Sequence, residues 1–331
     1  MVFWTIVFLA PWLIKNRLSA LKFLLITGLP MAGYLIFRLV YFHDILPNTY
    51  YLKLYKIPLD WRLLRGWYHF SRWAEPLWLV WALLPIMMIP LRRQKAMWLS
   101  LVLIINYLAY NVYVGGDAWE DWDIGANRFT IITIPWALII LVAGGSAWAS
   151  KIKGNAARLV NIALPSLACL LVFALVNGIM FVPDKMKHLE RLMVVEEPFN
   201  SEYQMWNTLR ALEMNDFLGP EDRAATVQAG DIGYFANCEL IDVLGYNDRQ
   251  IARTGSYWHF QYNFVHWYVP GHCKVDYPRV IGELKPDYIV DKWTKFNNDV
   301  EKEFYDLLAA GNYVEYPTGG WIKADFQYPK K

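Results

Sequence analysis

Apolar and polar positions divide this chain into two stretches of different texture. Up to residue 182, long apolar runs at 2–14, 18–42, 77–91, 96–113, 130–149 and 159–182 alternate with polar connections. A helix needs ~20 apolar residues to cross a bilayer, and most of these runs approach that length. The pattern predicts an α-helical polytopic membrane domain of about six spans over residues 1–182, the first one clipped. Run 2–14 is short for a span and has neither a basic start nor a small-residue cleavage site, so it does not read as a signal peptide. The expectation is that the chain begins inside a helix of a longer protein. Pro30, Pro85, Pro90, Pro135 and Pro165 lie in or near the runs and predict kinks.

After residue 183 the pattern becomes that of a water-facing domain. Residues 202–215 carry Tyr203, Trp206, Leu209 and Leu212 at helical spacing, and residues 224–228, 240–244 and 288–290 read as strands. Residues 230–233 read as a turn and 300–310 as a helix, which together predict a small α/β domain over 183–331.

Charge orients the two parts. Lys15, Arg17 and Lys22, then Arg92, Arg93 and Lys95, then Lys151, Lys153 and Arg158 form short basic connections without an acid. The positive-inside rule assigns them to the cytoplasm. The loops 43–76 and 114–129 and the α/β domain are then extracytoplasmic.

Composition agrees with a membrane protein: 56% of the 331 residues are hydrophobic, with 17 Trp and 21 Tyr, the residues favoured at bilayer interfaces. Net charge is +2 and no basic arm is present, which gives nucleic acid no support as a partner. Cys169 lies in an apolar run, while Cys238 and Cys273 either pair outside the cell or are two ordinary buried thiols. No nucleophile elbow, phosphate-binding loop, His-Glu-x-x-His or dinucleotide fingerprint occurs, so hydrolase, kinase and dehydrogenase readings gain nothing.

Two segments carry candidate chemistry. In loop 114–129, Gly115 and Gly116 permit a sharp turn before Asp117, Glu120, Asp121 and Asp123, and Trp119 and Trp122 suit the headgroup layer. These oxygens suit Ca²⁺, Mg²⁺ or Mn²⁺; a solvated hairpin is the plainer alternative. Arg38, Lys53, Lys56, Arg62, Arg65 and Arg72 make the other segment basic on the outer side, where an anionic headgroup or lipid-linked phosphate would pair with them. An interfacial helix with Trp61, Leu64, Trp67 and Tyr68 toward lipid and its cations toward water explains the same residues. Residues 256–268 are dense in aromatics, suited to sugar stacking or to packing, and a Pro/Gly-bounded loop follows with His272, Lys274 and Asp276.

Four stretches taken together carry a resemblance: Arg38 to Lys53 with its Leu46-Pro-Asn-Thr49 centre; Val114-Gly-Gly-Asp117 with Arg128-Phe129; Ala229-Gly-Asp-Ile-Gly-Tyr-Phe235 with Ile241-Asp-Val-Leu-Gly-Tyr-Asn-Asp248; and Pro270-Gly-His-Cys-Lys274. The set resembles polytopic GT-C-type glycosyltransferases, and within them bacterial arabinofuranosyltransferase-like cell-envelope enzymes. The resemblance implies transfer of a sugar from a polyprenyl-phosphate donor to an envelope glycan or lipid acceptor. It also implies a multi-pass protein of the bacterial inner membrane with a periplasmic C-terminal domain. By motif match, Asp117 becomes a catalytic candidate and Arg38, Asn48, Lys53, Arg128, His272 and Lys274 candidates for donor phosphate or substrate. In such enzymes the general base usually lies in the first outer loop, which is expected upstream of this chain. A non-catalytic, membrane-anchored glycan-binding or scaffold protein is the alternative.

Overall fold

The computed structural model describes residues 17–118, 127–151, 201–254, 257–262, 265–294 and 298–328, with single positions 163 and 166. Helix α1 covers Arg17–Phe42, α2 Asn48–Leu54, α3 Leu59–Ala74, α4 Trp78–Leu91, α5 Lys95–Val114 and α6 Thr133–Ala149. Pro47 and Pro58 immediately precede α2 and α3, where the fixed φ of the ring sets the direction of entry. A 3₁₀ turn at Glu75–Leu77 follows α3, and α3 and α4 meet there at 86°.

Among the described residues, one helix, Lys95–Val114, is long and apolar enough to cross a membrane, or two if the bent α3–α4 pair counts as one span. This overturns the expectation of about six spans. Some of the apolar runs give helices too short for a span. With 14 residues α4 rises only ~21 Å, against ~30 Å of hydrocarbon, and with 17 residues α6 is also short. Runs 2–14 and 159–182 lie outside the described residues, as do Pro165 and Cys169.

Helices α4, α5 and α6 enclose a core of Leu77, Val80, Leu84, Met88, Ile104, Ala137 and Ile140. Glycine lets neighbouring helices touch by their backbones: a Cβ at Gly66 would lie 2.3 Å from the Val112 carbonyl oxygen. Outside the core the surface is apolar, with Ile26, Leu29, Ile36 and Val40 of α1 exposed.

Helix α3 is built the opposite way to a water-facing amphipathic helix. Arg62, Arg65 and His69 are buried, while Leu64 and Trp67 are exposed. Leu64 and Trp67 thus face outward, and Arg72 is exposed, but Arg62 and Arg65 turn into the protein and not toward water as expected. The cause is the end of α5, whose last carbonyls have no partner within their own helix. Arg62 donates to the Tyr113 carbonyl at 3.2 Å and Arg65 to that of Gly115. Cations at a helix C-terminus also meet its negative dipole end.

The second half contains the expected alternation of strands and helices. Its elements are α7 (Ser201–Met214), β1 (Arg223–Thr226), α8 (Asp231–Phe235), β2 (Glu239–Asp242), α9 (Arg249–Arg253), β3 (Phe260–Tyr262), β4 (Val265–Trp267), β5 (Tyr288–Ile289), α10 (Asn298–Ala310), β6 (Tyr313–Glu315) and β7 (Trp321–Lys323). Among the described residues the main sheet has the order β2-β1-β5-β7-β6, with β2, β1 and β5 parallel and β7 antiparallel to both β5 and β6. Strands β3 and β4 form a separate hairpin. The expected turn at 230–233 is the start of α8.

Helix α7 forms where its spacing predicts, but its apolar stripe faces outward. Ala211 and Met214 pack beside Phe217, Ala224 and Tyr288, leaving Trp206, Leu209 and Leu212 exposed. Cys238 and Cys273 are free thiols, not a disulfide; burial first pushes them up, to about 11 and about 12 respectively.

Candidate functional site

The halves meet along α2 and α9. Asp44 pairs with Arg253 and accepts from the Tyr51 hydroxyl at 3.2 Å, and Asn48 Nδ2 donates to the Tyr246 carbonyl at 3.0 Å. Beneath them Lys274, fully buried, donates to the carbonyls of Tyr51 and Tyr55 at 2.8 Å each and of Ala252 at 3.3 Å. Those first two carbonyls lie at the end of α2, so Lys274 caps one half from within the other.

Beside this joint lies the candidate site. The chain runs from β1 to β2 on one side and returns to β5 on the other, so the connection reverses next to β1. In open sheets with parallel strands, ligands gather at the carboxyl ends of strands near such a reversal. Tyr246 lies just beyond the carboxyl end of β2, and Trp293 just beyond that of β5. Trp293 Nε1 donates to the His272 carbonyl at 2.5 Å and fixes that loop.

Opposite these loops stands Asp117. Gly115 and Gly116 adopt φ of 90° and 86°, a region open to glycine, and turn the chain so that Asp117 is only 1% exposed. Arg128 grips it through both oxygens: Nε to Oδ2 at 2.8 Å, Nη2 to Oδ1 at 2.7 Å, and its backbone N–H to Oδ2 at 3.0 Å. The Arg128 side chain is still 56% exposed, so the fixed guanidinium presents a face to the outside. Lys53 lies 4.9 Å from the Phe129 ring centroid. Gly271, at φ 86°, allows the Tyr246 hydroxyl and the Lys53 stem to close in; a Cβ there would lie 2.7 Å from the Tyr246 oxygen.

Burial acts on every ionisable group in this cluster. It would raise Asp117, but the hydrogen bonds and charge of Arg128, with Lys53, outweigh it and hold the carboxyl below its ordinary value. Lys53 is depressed, first by burial and then by Arg128, against the opposing pull of Asp117. His272 falls to about 4, chiefly through burial, with Lys53 and Arg128 adding to the effect, and is neutral at pH 7. Tyr246 is raised, first by burial and then by Asp242. The result is two fixed cations, one paired carboxylate and two neutral hydrogen-bonding rings, a set suited to an anion.

Of the residues named from sequence, Lys53, Asp117, Arg128 and His272 come together, and Asn48 supports them through Tyr246. Lys274 is spent on the joint. Arg38 donates from Nε to the Ile45 carbonyl at 2.9 Å and lies near the Tyr34 and Phe42 rings, bracing the end of α1. Glu120, Asp121 and Asp123 lie outside the described residues, as do Trp119 and Trp122. Among the described residues no group of three or more metal-ligating side chains assembles. Sequence reading quoted Tyr246 and Gly271 within the resembling stretches without naming them as site residues, and missed Trp293. The Gly in Pro270-Gly-His272 was the available signal, since glycine between such residues often marks close approach.

A family model described as a domain of unknown function (DUF8728) matches residues 197–328, the sheet-containing half. No curated protein and no solved structure matches the chain.

Proposed function

We propose that this protein is a glycosyltransferase that passes a sugar from a polyprenyl-phosphate carrier to a cell-envelope glycan or lipid acceptor. The observation that carries the proposal is the Lys53–Arg128 pair held by Asp117 at the joint between apolar helices and the sheet. Phosphate oxygens accept charge-assisted hydrogen bonds from a guanidinium and an ammonium, and Asp117 fixes the first of these in place. Neutral His272 and Tyr246 supply hydrogen bonds without further charge. The exposed apolar surfaces of α1 and α3 suit contact with the lipid of an inner membrane, with the site opening on the extracytoplasmic side. Asp117, with both oxygens on Arg128 and its proton affinity lowered, is a positioning residue on this reading, and the general base comes from elsewhere in the protein.

Sugar transfer from a labelled polyprenyl-phosphate donor, measured in membranes carrying the protein, tests this. Arg128→Gln should lower turnover at least ~10-fold, the scale of one charge-assisted hydrogen bond, while the protein remains folded. Undiminished turnover in that variant would remove the proposal. One observation favours a second reading, glycan binding without chemistry: the buried carboxylate of the cluster is already committed to Arg128. In that case Asp117→Asn keeps glycan binding and there is no transfer to lose.

A further inference from the structure

A second crevice lies on the other side of the Asp291–Trp293 segment, at the carboxyl ends of β1 and β5. It encloses about 300 Å³ between α7 and the sheet, and Trp206, Asn207, Arg210, Glu213, Asp291 and Thr318 are among its walls. Its polar atoms are placed as if for a guest. Asn207 Nδ2 and Arg210 Nε are buried and have no hydrogen-bond partner among the described residues. The rest of Arg210 is occupied, donating to the Thr318 carbonyl at 3.0 Å and to the Tyr288 hydroxyl and Val290 carbonyl at 3.3 Å, so the orientation of its Nε is fixed. Asp291 accepts at Oδ1 from the Val227 N–H at 2.7 Å and the Thr226 hydroxyl at 3.2 Å, which holds the carboxyl at the crevice wall. Trp206, 60% exposed, stands at the rim.

The charges select the guest. Glu213 opposes a phosphate or carboxylate and Arg210 opposes a cation, while burial raises Asp291 and favours its neutral form. Two waiting donors, a fixed carboxyl and an aromatic face match a molecule with hydroxyls on its edges and C–H bonds on its face. Buried donors left without partners are costly, and a guest's hydroxyl oxygens would relieve that cost at Asn207 Nδ2 and Arg210 Nε. We infer that this crevice is a binding site for a neutral sugar ring, separate from the Lys53–Arg128 site.

Ligand-observed saturation-transfer NMR on the whole 331-residue protein tests this, with methyl furanosides and methyl pyranosides as probes and inorganic phosphate as competitor. At least one glycoside should bind saturably, with transfer strongest at the ring C–H protons, and phosphate should not displace it. Trp206→Ala should abolish binding and Asn207→Leu weaken it about 2- to 10-fold, the value of one hydrogen bond. Lys53→Met should leave it unchanged. The inference fails if no glycoside binds saturably, if phosphate displaces it, if both crevice variants bind like the parent, or if Lys53→Met abolishes binding. Transfer activity is a separate readout: its absence with glycoside binding intact counts only against the catalytic proposal.

Discussion

Lys53 and Lys274 stand at the same joint, and burial depresses both, Lys274 to about 8, yet their surroundings give them opposite uses. Lys274 has three carbonyl acceptors and no exposure, so its ammonium holds α2 to the sheet domain. Lys53 has no hydrogen-bond acceptor among the described residues, only the Phe129 ring and the field of Asp117. A buried cation whose donors are all satisfied acts as a fastener. One left with donors in hand is ready for an anion from outside.

The largest effect that would sharpen this contrast is expected at the fastener. Lys274→Met removes the ammonium shared by the carbonyls of Tyr51, Tyr55 and Ala252, at a cost of about 3–5 kcal/mol, and thermal unfolding should shift down by roughly 10 °C. An unchanged melting temperature would make the two lysines equivalent.

Next comes Asp117→Asn, which removes the charge that fixes Arg128. It should cost about 1.5–3 kcal/mol of stability by denaturant titration at pH 7. Because the folded carboxyl is held below its ordinary value, the parent's advantage is present above the unfolded value near ~4 and disappears as pH falls through the folded one. The two proteins should converge in acid.

Lys53→Met should weaken phosphate binding about 10-fold, ~1.4 kcal/mol, in a calorimetric titration, with unfolding moved by less than ~0.5 kcal/mol. Loss of folding in place of loss of binding would assign Lys53 to the joint.

The smallest effect belongs to His272. Its folded value, about 4, lies below the ordinary 6.5, so the unfolded chain takes up the proton first and stability falls as pH drops from 6.5 toward 4. His272→Gln should lack that slope, a difference of about 1 kcal/mol accumulated between pH 6.5 and 5.5. Parallel pH profiles for parent and variant would show that the ring is not buried against cations.

Part of the candidate site was legible before folding. Gly115 and Gly116 ahead of Asp117 marked a sharp turn, and Arg128 was the nearest motif-borne cation. Nothing in the letters distinguished Lys53 from Lys274, because both stand in the same resemblance and differ only in which carbonyls lie within reach. Tyr246 and Trp293 went unnamed as site residues for a related reason: each is brought to the site by the end of a strand, and strand order is not written in local sequence. The place of Arg62 and Arg65 was misread because amphipathic spacing reveals that α3 has two faces but not that the cationic one meets α5.

Local physics, read from residue order alone, determined that the chain has an apolar helical half and a strand-and-helix half, and placed the longer helices and the three parallel strands β1, β2 and β5 to within a few residues. Tertiary structure decided how many helices have the length of a membrane span, which face of α3 and of α7 is buried, and which lysine is free for a ligand. Helix ends, buried faces and spare donors depend on neighbours distant in sequence, and periodicity carries no information about those neighbours.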